Sequence, residues 1–145
     1  MKISEVMSQE VFTIGAEATL KECADMLERQ AVNGLVVMDR DKAVGIVTKA
    51  DIFRAILPRY SDIIEEERFM SDPEYIEEHV YKYFEIKVKE IMATPAISAT
   101  GDMSIIRAGS MMTLRKVKQL PVMDGGRLTG IVTLTDILGG LLKKV

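Results

Sequence analysis

The chain has 145 residues, 48% of them hydrophobic and 28% charged, with a formal net charge of −3. That length suits one compact unit, or two small subdomains sharing a core, and the composition is that of an ordinary globular protein. Weak acidity without a Lys/Arg stripe or a basic helix argues against nucleic-acid binding by backbone neutralisation, and a lone cysteine, Cys23, leaves no disulfide framework and no multi-cysteine zinc site.

In chain order, Met1–Val6 lacks the apolar stretch of a signal peptide, and no run of 18 apolar residues follows. The expectation is therefore a cytoplasmic protein with no membrane partner. Val11–Ile14 reads as a short extended segment. Leu20, Cys23, Ala24 and Leu27 then recur at the spacing of one helix face, with Cys23 as a small buried residue. Two apolar strands, Leu35–Met38 and Val44–Val47, flank the turn Asp39-Arg40-Asp41-Lys42. A helix begins after Thr48 and closes at Pro58.

Residues 58–87 differ in character. They hold nine acidic and four basic residues and six of the eight aromatics, including all four tyrosines: Tyr60, Tyr75, Tyr81 and Tyr83. Ile63-Ile64, Phe69-Met70 and Tyr75-Ile76 are too apolar for a solvated linker. Ser71-Asp72-Pro73-Glu74 reads as a helix start with Pro73 in its first turn. The reading is two short helices that pack on the rest of the chain or on another chain. Glu65-Glu66-Glu67 is a solvated face, and His79, the sole histidine, lacks the companions a zinc site needs.

The first pattern then returns. Ala96–Ser98 is extended, and Asp102 is placed to cap a helix whose inner face carries Ile105, Ala108, Gly109 and Met112. Strands follow on either side of Asp124-Gly125-Gly126-Arg127, where Gly-Gly suits a tight hairpin, and a last helix begins after Thr133. Ile3–Leu57 aligns with Val88–Leu142 at an offset of 85 without a gap, with 15 of 55 positions identical. Each copy reads β-α-β-β-α, and a single copy of that length has a thin core. Two copies can bury their sheets and helices against each other, which places a cleft of approximate two-fold symmetry between them. The organisation expected is an α/β (α+β type) fold of two such repeats, 1–60 and 87–145, with a helical insert at 61–86.

Leu120-Pro121-Val122-Met123-Asp124 followed by Gly130-Ile131-Val132-Thr133-Leu134-Thr135-Asp136-Ile137 resembles the CBS domain family, whose tandem pair is called a Bateman module. Leu35–Asp39 and Gly45–Ile52 repeat the motif more weakly, and Ser4-Glu5-Val6-Met7 and Lys89-Glu90-Ile91-Met92 are similar to the family's lead-in. The resemblance covers about 110 residues and implies a regulatory sensor that binds AMP, ADP or ATP between its halves, less often NAD or S-adenosylmethionine, with no required cofactor. It implies ribose contacts from Thr133, Thr135 and Asp136. The first copy offers Thr48 and Asp51, with Ala50 in place of the middle hydroxyl. It further implies sites that mix the repeats: Val11, Val32 and Asn33 with Asp136, and Thr94, Ile97, Val117 and Lys118 with Asp51. A homodimer is implied as well, and any regulated effector is expected to be a separate protein.

The residue chemistry admits two roles for each motif. An ionised aspartate is a strong acceptor for paired ribose hydroxyls. Thr48-x-x-Asp51 and Thr133-x-x-Asp136 are also capping boxes with Asp in place of Glu. Lys118 can meet a phosphate or simply be solvated, and Asn33 takes the equivalent place without charge. Gly45 and Gly130 lie within strands, where glycine marks a tight bend or the close approach of a nucleotide. No phosphate loop, Rossmann glycine pattern or nucleophile–base–orienter set is present, so the expectation is a non-enzyme. The alternative is a ligand-free interaction module acting through the aromatic insert.

Overall fold

The computed structural model describes residues 1–94 and 96–145. The side chains of Phe69 and Met70 lie outside the described residues. Strand β1 (Thr13–Gly15) leads to helix α1 (Leu20–Gln30), the hairpin β2 (Gly34–Asp39) and β3 (Lys42–Thr48), and helix α2 (Lys49–Ile56). The insert forms α3 (Tyr60–Glu65), α4 (Glu67–Ser71) and α5 (Pro73–Tyr81), then a 3-10 turn at Lys82–Glu85. The second repeat supplies α6 (Ile105–Arg115), β4 (Gln119–Asp124), β5 (Arg127–Thr133) and α7 (Leu134–Leu142).

The apolar periodicity determines which faces are buried. Leu20, Cys23 and Leu27 of α1 face β2 and β3 in one core; Ile105, Ala108 and Met112 of α6 face β4 and β5 in the other. Thr19 caps α1 by accepting from Glu22 N, and Ala31 closes it in the left-handed region at φ 52°. The cap of α6 is Ser104, which accepts from Ile106 N, and not Asp102, whose carboxylate instead takes the Thr100 hydroxyl at 2.6 Å. Both residue types can cap; the one adjoining the first helical residue does. Gly125 and Gly126 take φ 58° and 77°, the double positive-φ turn their pairing favours, and in the first hairpin Arg40 adopts φ 58°.

The two sheets differ where the repeats differ by one proline. β1 pairs parallel to β2, and the Val36 N–H donates to the Phe12 carbonyl at 3.2 Å. The equivalent of Val36 is Pro121, which has no N–H to donate. The expected second-copy strand at Ala96–Ser98 is accordingly reduced to a parallel bridge between Ala99 and Val122. Elsewhere the copies coincide, including a register shift after Val37 in one hairpin and after Val122 in the other.

In space the repeats exchange their lead-ins. Ile3 is fully buried in the second core and Val88 in the first. Ser8 bridges Ile131 of β5 through two 2.9 Å hydrogen bonds, and Ala93 bridges Ile46 of β3. These crossings explain two strand glycines. A Cβ on Gly130 would lie 2.8 Å from the Ser8 carbonyl oxygen, and one on Gly45 would lie 2.8 Å from that of Ala93. The close approach at both positions is therefore the protein's own backbone. Glu17 fastens the crossing of the second lead-in onto the first repeat by accepting from Lys87 and Lys89, which hold its carboxyl down at about 2.

The insert contains three short α-helices, where two were expected. Its second helix has only five residues, too short to show a period of its own. Asp72 caps α5 with Pro73 in the first turn, as the sequence suggested. Val80, Tyr83, Phe84 and Ile86 pack on the first core, while Tyr60, Ile64 and Tyr81 remain exposed.

Cys23 is fully buried beside α2, and burial, aided by the charge of Asp51, pushes its thiol up to about 11. A native chain at pH 8 is expected to resist a thiol-specific reagent for hours and to react at one site per chain in denaturant. Complete labelling of the native protein within minutes would contradict that placement.

Candidate functional site

Both Thr-x-x-Asp motifs close the N-termini of the last helix in their repeat. In the second, the Thr133 hydroxyl accepts from Asp136 N at 3.1 Å, and Thr133 N donates to Asp136 Oδ2 at 2.8 Å. In the first, Thr48 Oγ1 accepts from Asp51 N at 3.2 Å, and both Thr48 N and the Thr48 hydroxyl donate to Asp51 Oδ2 at 2.9 Å. The capping role is thus real at both positions. It uses only one carboxylate oxygen of each aspartate.

The remaining oxygen distinguishes the corners. Asp51 Oδ1 accepts from the Arg54 guanidinium, one turn along α2. The equivalent of Arg54 is Gly139, and Asp136 Oδ1 has no protein partner among the described residues. Thr135 is exposed and its hydroxyl makes no hydrogen bond among those residues; Ala50 stands in its place in the first repeat. The second corner therefore presents an acceptor oxygen and a free hydroxyl side by side in sequence, whereas the first presents an ion pair and a methyl group. Arg54 is legible only by aligning the copies and noting that a residue three positions after Asp51 shares its helix face.

The backbone places Asn33 and Lys118 at these corners. Lys49 N donates to the Asn33 carbonyl and Leu134 N to that of Lys118, each at 3.0 Å. The corners abut across the pseudo-two-fold axis. Gly34, paired with Thr48, lies under the side chain of Gln119, which is paired with Thr133. Positions 34 and 119 are repeat equivalents, so the axis passes close to this contact. Asn33 thereby belongs to the Thr48 corner through its carbonyl and adjoins the Thr133 corner through its neighbour Gly34. Lys118 stands in the mirrored relation.

The other expected contacts lie along the crossings. Val11 is half-buried between the Ser8 bridge to β5 and the start of β1. Thr94 is exposed immediately after the Ala93 bridge to β3. Val32 packs on the first core, and Ile97 and Val117 pack on the second. Two concavities lie elsewhere: about 600 Å³ between the end of α2 and the insert, reaching His79 and Tyr83, and about 480 Å³ between the two hairpin turns. Neither is lined by Thr133, Thr135 or Asp136.

Among the described residues no helix is long and apolar enough to cross a membrane. A CBS domain-containing protein of Dictyostelium discoideum is 30% identical over 143 residues, covering 97% of this chain and 91% of its own length. Inosine-5'-monophosphate dehydrogenase of Methanocaldococcus jannaschii is 30% identical over 139 residues, 94% of this chain but 23% of the enzyme; the chain thus spans under a quarter of that relative. It spans 38% of an uncharacterised protein of the same organism, to which it is also 30% identical over 139 residues, 95% of this chain. The CBS domain pair of a protein solved with 5'-methylthioadenosine and S-adenosyl-L-methionine superposes with a TM-score of 0.74 at 23% identity, over 100% and 98% of the two chains. A protein solved with AMP superposes with a TM-score of 0.72 at 19% identity, over 99% and 97%. The family model for the CBS domain matches residues 3–58 and 88–143, and the chain belongs to the CBS domain family as a tandem pair.

Proposed function

We propose that the chain is a non-catalytic regulatory module that binds an adenosyl ligand, AMP, ADP or ATP before NAD or S-adenosylmethionine, at the Asp136 corner. The observation that carries this is the half-used carboxylate of Asp136, next in sequence to Thr135, whose hydroxyl has no partner among the described residues. A ribose offers two adjacent hydroxyl donors, and an ionised carboxylate oxygen is the natural acceptor for them. Asn33, Val32 and Val11 of the first repeat complete the proposed site from across the axis. Support also comes from the relatives of the same fold that were solved with AMP and with S-adenosyl-L-methionine. Binding between the repeats shifts their relation only through a difference in affinity between two arrangements.

Calorimetric titration with AMP, ADP, ATP, NAD and S-adenosylmethionine tests this directly. Saturable heat is expected from at least one of them, with no turnover of the nucleotides. Absence of binding across the whole panel overturns the proposal, and ATP hydrolysis that disappears in Asp136→Ala overturns its non-catalytic part.

A second observation favours association of copies. Leu134, Leu138, Leu141 and Leu142 of α7 are all exposed, at the i, i+4, i+7 and i+8 spacing of one helix stripe. We propose that this stripe, more than the insert, joins two copies in a homodimer. Sedimentation equilibrium on the wild type and on Leu138→Asp should show a dimer and a monomer respectively. A monomeric wild type at micromolar concentration overturns the dimer.

A further inference from the structure

We infer that Arg54 is a specificity-determining residue that closes the first-repeat corner to ribose, so that one chain takes one adenosyl ligand. This rests on the ribose reading of the Asp136 corner.

The two corners share the reciprocal capping bonds and an aspartate, so the difference around that aspartate lies in two aligned positions, 50/135 and 54/139. Asp51 and Asp136 each spend Oδ2 on the capping threonine. At Asp51 the guanidinium of Arg54 then takes Oδ1, and the carboxylate has a partner on each oxygen. The carboxylate of that pair is 13% exposed while the arginine side chain is 71% exposed. The cation is the more exposed member of the pair and is bonded to the carboxylate oxygen that the capping threonine leaves unused. Charge works in the same direction: Asp51 is ion-paired with Arg54, and Asp136 has no ion-pair partner among the described residues.

The neighbours deepen the asymmetry. Ala50 removes the hydroxyl that Thr135 offers, so a ribose displacing Arg54 would gain one hydrogen bond fewer than at Asp136. Gly139 has no side chain with which to cover Asp136. Whatever this pair contributes to the stability of the fold, it occupies the acceptor. Its free energy is subtracted from any ligand that competes for the same oxygen.

The experiment is titration calorimetry on the full chain with AMP, ATP and S-adenosylmethionine as separate probes. The variants are Ala50→Thr/Arg54→Ala, the same pair with Asp51→Ala, and Asp51→Ala and Arg54→Ala each alone. Alanine at position 54 is a strong helix former, and thermal unfolding confirms that each variant is folded. The expected wild-type stoichiometry is one per chain. Ala50→Thr/Arg54→Ala should raise it to two, and adding Asp51→Ala should return it to one. Two wild-type sites, with one lost in Asp51→Ala, overturn the inference while leaving ribose binding intact. So does a folded double variant that stays at one site. Weaker binding in Arg54→Ala also overturns it, since that result makes Arg54 a phosphate contact. A wild type that binds none of the probes removes the ribose reading itself, and the inference with it.

Discussion

Asp136→Ala is expected to weaken adenosyl-ligand binding about 100-fold, which corresponds to about 2.7 kcal/mol. Hydrogen bonds to a charged group contribute about 1.5–3 kcal/mol each, and two ribose hydroxyls on one carboxylate would supply at least that total. Part of the loss is structural, because the same residue holds Thr133 N at 2.8 Å and starts α7. Loss of a helix cap costs about 0.5–2 kcal/mol of stability, so the melting temperature should fall as well. Asp136→Asn separates the two effects. It keeps an acceptor for Thr133 N but loses the charge, and binding should weaken about tenfold with little change in melting, in line with the greater strength of charge-assisted bonds. Asp51→Ala provides the contrast: it removes the corresponding half of the capping box, yet binding should stay within about threefold, because Asp51 already holds Arg54. Unchanged affinity in a folded Asp136→Ala variant removes the ribose role of this corner.

Much of this was readable from residues alone. The gap-free alignment of the copies carried the helix and strand order, since a period of 3.6 at Leu20–Leu27 and the apolar runs at Leu35–Met38 and Val44–Val47 depend on local spacing. The Thr-x-x-Asp boxes were readable for the same reason: capping joins residues three apart. The reduced first strand of the second copy was encoded in Pro121, but its missing bond is to a residue far away in the chain. Distance in sequence also hid the reason for Gly45 and Gly130, whose neighbours are Ala93 and Ser8. Identical motifs cannot say which copy packs on which lead-in, because both arrangements satisfy the same hydrophobic pattern. The use of the second aspartate oxygen was hidden differently. Arg54 is one of several solvent-facing residues of α2, and only its side-chain direction distinguishes an ion pair from a solvated cation.

The exchange of lead-ins carries the other large effect. Ile3→Ala is expected to destabilise the protein by about 2–4 kcal/mol, as removal of a fully buried isoleucine does when the site cannot collapse. A domain of this size has about 5–15 kcal/mol in total, so the loss should be plain in a urea titration. The size alone does not say which core was damaged. A double-mutant cycle does, because residues sharing a core couple by about 0.5 kcal/mol or more, and distant ones add. Ile3 shares its cluster with Leu120, whereas Leu35 belongs to the other. Ile3→Ala combined with Leu120→Ala should therefore deviate from additivity, and Ile3→Ala combined with Leu35→Ala should not. Coupling to Leu35 in place of Leu120 would return each lead-in to its own repeat. It would also remove the Ser8–Ile131 bridge as the explanation for Gly130, because that bridge exists only if the first lead-in reaches β5 at Ser8. Since β5 ends at Thr133, the same crossing ties the start of the first repeat to the strand that carries the Asp136 corner.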